Sequence, residues 1–345
     1  MMKAIVKYNK GDSFTELREV TRPVIDSEEV LIEVKAAGIC GTDIHIIHDE
    51  FKYSAPVTMG HEFSGEIVEV GEKVKEWKVG ERVVSEPHTG ACRVCRLCRT
   101  GNPQICSKKR PIGSGTDGAF AEYVKVPSWL LHRIPEEVSF EEAALTEPVA
   151  ICVHCILEKT GIEAGDFIAI LGPGPIGLLA AQVVKSAGAS CVLISGISRD
   201  VNIRLKLASE LGIDYVINTD EEDLVSKVRQ LTNDTGADVV VEASGSPLAI
   251  NQAFQMVRRG GRISALGMTK EEKVEIPWNM GIMKGIEITL PFSSGYTSWE
   301  KALDLIASKK INVASLMSQH FSLEAWLRAF ALVEKGQAIK ALLIP

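Results

Sequence analysis

The sequence predicts an α/β protein of two domains: a β-rich antiparallel domain over the first 150 residues, then a doubly wound parallel sheet. Short β-branched runs recur at Phe167–Leu171, Cys191–Ser195, Tyr215–Asn218, Asp238–Glu242, Arg262–Leu266 and Ile286–Leu290, about 24 residues apart. Helix-like segments separate the first five, and strand, helix, strand at that period means a parallel sheet covered on both faces. The first 150 residues alternate instead, as in Val30–Val34 and Ser64–Val70, with glycines at 38, 41, 60, 65, 71 and 80. That is the antiparallel pattern.

In chain order, Ser139-Phe140-Glu141-Glu142 reads as a capping box that opens a helix. Pro148 must interrupt or restart that helix, which gives a natural junction near residue 150. A helix over Ile176–Ala187 is stopped by Gly188, and one over Leu248–Arg258 by Gly260-Gly261, where glycine takes the left-handed cap. After about residue 290 the strict period ends. The tail is helical over Trp299–Ser308 and Leu323–Lys335 and finishes in the strand-like Ala341–Ile344.

Composition excludes several classes. With 345 residues, 46% hydrophobic and 24% charged, the chain is neither disordered nor fibrous. Its net charge is −7, and no basic block is longer than Lys108-Lys109-Arg110, so neither nucleic acid nor an anionic membrane is an expected partner. The longest uncharged stretch, Phe167–Val184, holds three glycines and two prolines and is too short for a spanning helix. Lys7 stands where a secretory signal needs its apolar core, so a cytoplasmic location without disulfides is expected.

Cys92, Cys95, Cys98 and Cys106 follow C-x2-C-x2-C-x7-C, a spacing that lets four thiolates of one loop converge on zinc. Four protein ligands leave no open position, so that site is expected to be structural. A second constellation joins Cys40-Gly41-Thr42-Asp43-Ile44-His45 to Gly60-His61-Glu62. Thiolate, imidazole and carboxylate with a water make an open, Lewis-acidic zinc site. By local pattern alone, a structural role for these residues is the equal alternative.

Gly172-Pro173-Gly174-Pro175-Ile176-Gly177 follows an apolar strand and opens a helix, the context of a pyrophosphate cradle. The first glycine makes the turn, the second admits the phosphates and the third lets helix and strand pack closely. An acid for the ribose of NAD belongs about twenty residues on, yet Gly196 stands there. Ser198 and Arg199 follow at once and suit a 2′-phosphate, so NADP is expected in preference to NAD, with Arg204 counted in the same set. A solvated Arg199 and use of either cofactor is the alternative.

Taken together, Gly60-His61-Glu62-x2-Gly65-x5-Gly71-x2-Val74, the four-cysteine lobe, Cys40-Gly41-Thr42-Asp43, Glu147-Pro148 and the Gly172 to Gly177 loop resemble the zinc-containing medium-chain dehydrogenases over the whole chain. The branch is that of sorbitol (polyol) and L-threonine 3-dehydrogenases. The resemblance implies a GroES-like catalytic domain over residues 1–150, completed by 291–345, and a six-stranded Rossmann domain over 151–290. It implies two zinc ions per chain. Cys40, His61 and Glu62 would ligate the catalytic one, with Glu147 as a further ligand or orienting its water. Thr42 and His45 would relay the alcohol proton, and Leu266-Gly267-Met268 with Leu290 to Phe292 would lie beside the nicotinamide.

The implied reaction is hydride transfer between a secondary alcohol or polyol and NADP(H) or NAD(H). An arginine expected after the sixth strand to hold polyol hydroxyls is missing from Phe292-Ser293-Ser294. L-threonine 3-dehydrogenase and a galactitol-1-phosphate type of enzyme are the enzymatic alternatives, and an NADP-binding sensor is the non-enzymatic one. A homo-oligomer, tetramer or dimer, is implied. Cys152 and Cys155 read as small packed side chains of an apolar helix.

Overall fold

The computed structural model describes all 345 residues, which fall into two compact units. The first comprises residues 1–147, 294–308 and 313–345, and the second residues 148–293 and 309–312.

The first unit is built on the strand Glu29–Gly38. It pairs antiparallel with Glu62–Val70, from Val30 opposite Val70 to Gly38 opposite Glu62. Tyr123–Pro127 and Lys340–Ile344 also pair with it, the latter setting Leu342 opposite Gly38. Arg82–Ser85, Leu131–Arg133 and Met317–Ser322 complete a seven-stranded sheet. A three-stranded sheet of Met2–Lys7, Thr15–Val20 and Val57–Thr58 lies in the same unit. Ile5, Val30, Ile32, Phe63, Ile67, Phe120, Phe330 and Leu343 are buried in one core cluster.

Two strands run further than their alternation suggested. Ala36 and Ala37 are fully buried, and small residues buried on both faces carry no alternating signal. Gly60 takes a left-handed φ of 93°, and a Cβ there would meet the Phe120 ring at 2.5 Å. Only glycine makes that turn against the core, and it delivers His61 and Glu62 to the sheet end. The capping box forms: Ser139 Oγ accepts from the Glu142 N–H at 3.1 Å, and the Glu142 carboxylate accepts from the Ser139 N–H at 3.0 Å. The helix Phe140–Ala144 ends at Leu145, and Thr146–Cys152 restarts with Pro148 in its first turn.

The second unit holds six parallel strands in the order Tyr215–Asn218, Cys191–Gly196, Phe167–Leu171, Ala237–Glu242, Val257–Ala265, Glu287–Thr289. The order reverses beside Phe167–Leu171, the switch point at which such sheets bind ligands. Helix Pro175–Ser186 buries Gly177 to Val184, and Gly188 follows at φ 98° as expected. Helix Pro247–Met256 stops short of the expected Arg258. Val257 already starts the next strand, so Gly260-Gly261 lie within Val257–Ala265 and cap nothing. A helix over Trp278–Lys284 has no counterpart in the sequence reading, because none of its residues is buried and no apolar stripe marks it. No helix is long and apolar enough to cross a membrane.

The tail belongs to the first unit, with helices Tyr296–Ala307 and Trp326–Glu334 and the strand Lys340–Ile344. Trp299, 1% exposed, donates its indole N–H to Ser294 Oγ at 3.0 Å and stacks on His132 with centroids 5.6 Å apart. Trp299→Ala is expected to cost the first unit about 3–5 kcal/mol. A chemical-denaturation midpoint within error of the parent would contradict this packing.

Candidate active site

Three donors from two chain segments converge at one end of the larger sheet. The ligand atoms of Cys40, His61 and Glu62 all lie within 4.8 Å of one another. Cys40 is the N-cap of helix Gly41–Ile47, and its N–H donates to Asp43 Oδ2 at 2.9 Å. The other oxygen of this fully buried carboxylate, Oδ1, is 3.5 Å from His61 Nδ1, so Asp43 steers both donors. Burial opposes charging of His61, but Asp43 and Cys40 raise it well above its ordinary value.

Asp43 Oδ1 is buried and meets only the His61 ring, at 3.5 Å, while the buried Glu62 pairs with the Lys340 ammonium. Buried carboxylates beside a thiol and an imidazole, with one cation among them, fit a divalent metal. Burial pushes the Glu147 carboxyl up to about 7, with His61 pulling the other way. Glu147 is thus electrostatically joined to the set, though it is not among the donors within 4.8 Å. Thr42 and His45 share the helix that Cys40 caps, both half-buried, and His45 Nδ1 is 2.7 Å from Glu50 Oε2.

Cys92, Cys95, Cys98 and Cys106 form the other convergent set, all with free thiols. Their Sγ atoms stand 4.0 Å (Cys92 to Cys98), 3.9 Å (Cys95 to Cys106) and 3.7 Å (Cys92 to Cys106) apart. A tetrahedron with zinc–sulfur bonds of about 2.3 Å has edges of about 3.8 Å. The thiols are therefore already at zinc spacing and too far apart for disulfides. Backbone N–H groups of Val94 and Cys95 pull the Cys92 thiol down to about 6. Cys152 and Cys155 are both buried.

In the second unit the three glycines of the loop differ physically. Gly172 has φ 103° and lies against Ser244, where a Cβ would sit at 2.9 Å. Gly174 caps helix Pro175–Ser186 and faces open space, and a Cβ on Gly177 would fall 1.9 Å from the Gly172 carbonyl oxygen. Gly172, Gly174, Gly196, Arg199 and Arg204 line one cavity of about 410 Å³. Ser198 does not line it; its N–H donates to Asp220 at 2.8 Å and its hydroxyl accepts from Asn218 at 3.3 Å. Gly267 and Leu290 belong to another, almost wholly apolar cavity of about 680 Å³, with Trp278 and Ile282. The Leu266 and Gly267 N–H groups both donate to the Glu242 carbonyl, and Met268 and Phe292 are exposed.

Three residues escaped the sequence reading. Asp43 stands in the quoted motif without a role, although an acid three residues after a helix N-cap signals a reciprocal cap. Asp200, 5% exposed, lies in the cofactor cavity and is paired with Arg204 at 3.1 Å. Lys340, 2% exposed, bonds Glu62 from a strand 278 positions away, a separation no local motif can announce.

Fold and donor sets define a metal-dependent, nucleotide-binding dehydrogenase class, and comparison with known proteins supplies the family. The alcohol dehydrogenase GroES-like domain family matches residues 26–136 and the zinc-binding dehydrogenase family residues 175–308. The chain is 41% identical to a sorbitol dehydrogenase of Halalkalibacterium halodurans, covering 100% of this chain and 99% of that protein. It is 39% identical to an L-threonine 3-dehydrogenase of Bacillus licheniformis, with the same coverage. A crystal structure described as a zinc-binding dehydrogenase of Sinorhizobium meliloti 1021 bound to NADP superposes with a TM-score of 0.93 at 33% identity, over 100% and 99% of the two chains. The chain therefore belongs to the zinc-containing medium-chain dehydrogenases, in the polyol and threonine branch, and is a zinc- and NAD(P)-dependent alcohol dehydrogenase.

Because a Cβ at residue 177 has no room, Gly177→Ala should force the loop open and weaken NADP binding at least about tenfold. Fluorescence titration with NADPH would measure it, and an unchanged Kd would refute the close-packing role.

Proposed function

We propose that the enzyme oxidises a secondary alcohol of a polyol or simple diol with NADP(H) in preference to NAD(H), using one catalytic and one structural zinc per chain. The convergence of Cys40, His61 and Glu62 within 4.8 Å carries this reading. These three would hold the catalytic metal, with Glu147 as a further ligand or a partner of its water, and the four cysteines would hold the structural one. When bound, zinc draws charge from an alcohol oxygen and lowers its pKa, and the nicotinamide takes the hydride. The chain's own part is to bind and orient. Thr42 would accept the alcohol proton and His45 pass it toward solvent.

For the cofactor, Gly172, Gly174, Pro175, Ile176 and Gly177 would cradle the pyrophosphate at the helix start. Gly196 and Arg199 would face the 2′-phosphate, with Arg204 beside them, whereas Ser198, expected there, is turned to Asp220 and Asn218. Asp200 is the one acid lining that cavity, and its ion pair with Arg204 leaves the exposed Arg199 for the phosphate. Leu266, Gly267, Met268, Leu290 and Phe292 would flank the nicotinamide. A cytoplasmic homo-oligomer is the accompanying reading. Assembly is favoured by the open edge strand Glu287–Thr289, beside which Trp278 and Ile282 are 63% and 64% exposed.

Threonine oxidation is the second reading, favoured by the 39% identity to a threonine dehydrogenase. Reduction of NADP and NAD against sorbitol, xylitol, butanediol, threonine and sugar-phosphate alcohols separates the two. Turnover of a polyol or diol with NADP is expected, whereas threonine with NAD would overturn both substrate and cofactor. Arg199→Ala should lower kcat/KM for NADP about 10- to 100-fold, the worth of a charged hydrogen bond, and leave that for NAD within about twofold. Equal losses for the two cofactors would exclude a 2′-phosphate contact.

A further inference from the structure

Lys340 carries a charge into the buried end of the first unit, and no sequence motif or comparison gives it a role. Its Nζ donates to the Ile39 carbonyl at 3.0 Å and to Glu62 Oε1 at 2.6 Å. Glu62 Oε2 lies 2.5 Å away, so the ammonium pairs with both oxygens of the carboxylate. Ile39 directly precedes Cys40, so one ammonium ties the carboxylate of one donor to the backbone of another. Gly38 leaves the space for this grip, since a Cβ there would stand 2.4 Å from Glu62 Oε2.

We propose that Lys340 is a positioning residue that restrains Glu62 and offsets negative charge at the metal centre. The inference rests on the reading of Cys40, His61 and Glu62 as zinc ligands. A thiolate, a neutral imidazole and a carboxylate carry two negative charges, and the buried Asp43 carboxylate 3.5 Å from His61 adds a third, so together they would outweigh a dication. A centre with net negative charge attracts an alcohol oxygen weakly. The ammonium shares the Glu62 carboxylate and returns one unit of charge at hydrogen-bond distance. Without it, Glu62 would bind the metal more fully, so the metal would be held more tightly and work less well.

That divergence is the test. Zinc release to a chelator is followed for the parent, Lys340→Met, Lys340→Arg and Cys40→Ala, together with alcohol oxidation by the zinc-loaded proteins. Removing a cation beside the metal, Lys340→Met should slow release of the zinc that Cys40→Ala lacks by about tenfold, while turnover falls about 10- to 100-fold. Lys340→Arg keeps the charge and should recover both values in large part. If Lys340→Met does not fold, Lys340→Gln, which keeps hydrogen-bond donors without charge, should show the same split. Zinc lost faster together with turnover would mean that Lys340 only supports the fold, and unchanged release would also overturn the proposal. Should Cys40→Ala retain both zinc ions, the ligand assignment itself fails, whatever the Lys340 variants do.

Discussion

The strand Glu29–Gly38 is the constraint on which the metal-facing end depends. It pairs with Glu62–Val70, Tyr123–Pro127 and Lys340–Ile344, and where it ends, Gly38 stands opposite both Glu62 and Leu342. Cys40 follows two residues later as a helix cap, so the same strand fixes where the thiol begins. Side chains alternate with period two, and a slip of one residue in either pairing would turn Glu62 or Lys340 to the opposite face. Hydrophobic burial enforces the register: Val30, Leu31, Ile32, Ala36 and Ala37 are all fully buried. An apolar core thus sets the position of charged groups that contribute little to it.

Those charges are costly. Asp43, Glu62, Glu147 and Lys340 are at most 7% exposed, and an ionised group taken from water without a partner is strongly destabilising. The structure answers with pairs: Lys340 on Glu62, Asp43 on the Cys40 N–H and toward His61. The compensation is incomplete: burial pushes Glu147 up to about 7, and Asp43 Oδ1 has only the His61 ring, at 3.5 Å. A site tuned for stability alone would not leave them so. It suits a chain whose charge balance closes when a dication enters.

Legibility in the sequence followed distance along the chain. The four-cysteine lobe, the Gly172 to Gly177 turn and the Ser139 capping box each act within about fifteen residues, and pattern was enough to read them. Repeated apolar runs exposed the parallel sheet for the same reason. Strand ends carried by Ala36 and Ala37, and the helix Trp278–Lys284 with no buried residue, gave no period to detect. Asp200 lay beside the expected position but one turn late, because Gly196 ends its strand and the chain bends before the acid. Lys340 was invisible, since its partner is 278 residues away and a lone lysine near a terminus usually faces water.

The same distance separates the two donor clusters physically. The cysteine set closes within fifteen positions, with sulfur spacings of 3.7–4.0 Å, and involves no partner outside its lobe. Loop-closure entropy for so short a segment is small, so zinc can organise it with little help from the rest of the unit. The open cluster gathers residues 40, 61 and 62 with Lys340 from the other end of the chain, and these meet only once the long-range strand pairs exist. A closed site therefore supports the fold, while the open one depends on it. Bringing a thiol, an imidazole and a buried carboxylate to one point is a demand on geometry that only a finished sheet, with its glycine at 38 and its buried lysine, can meet.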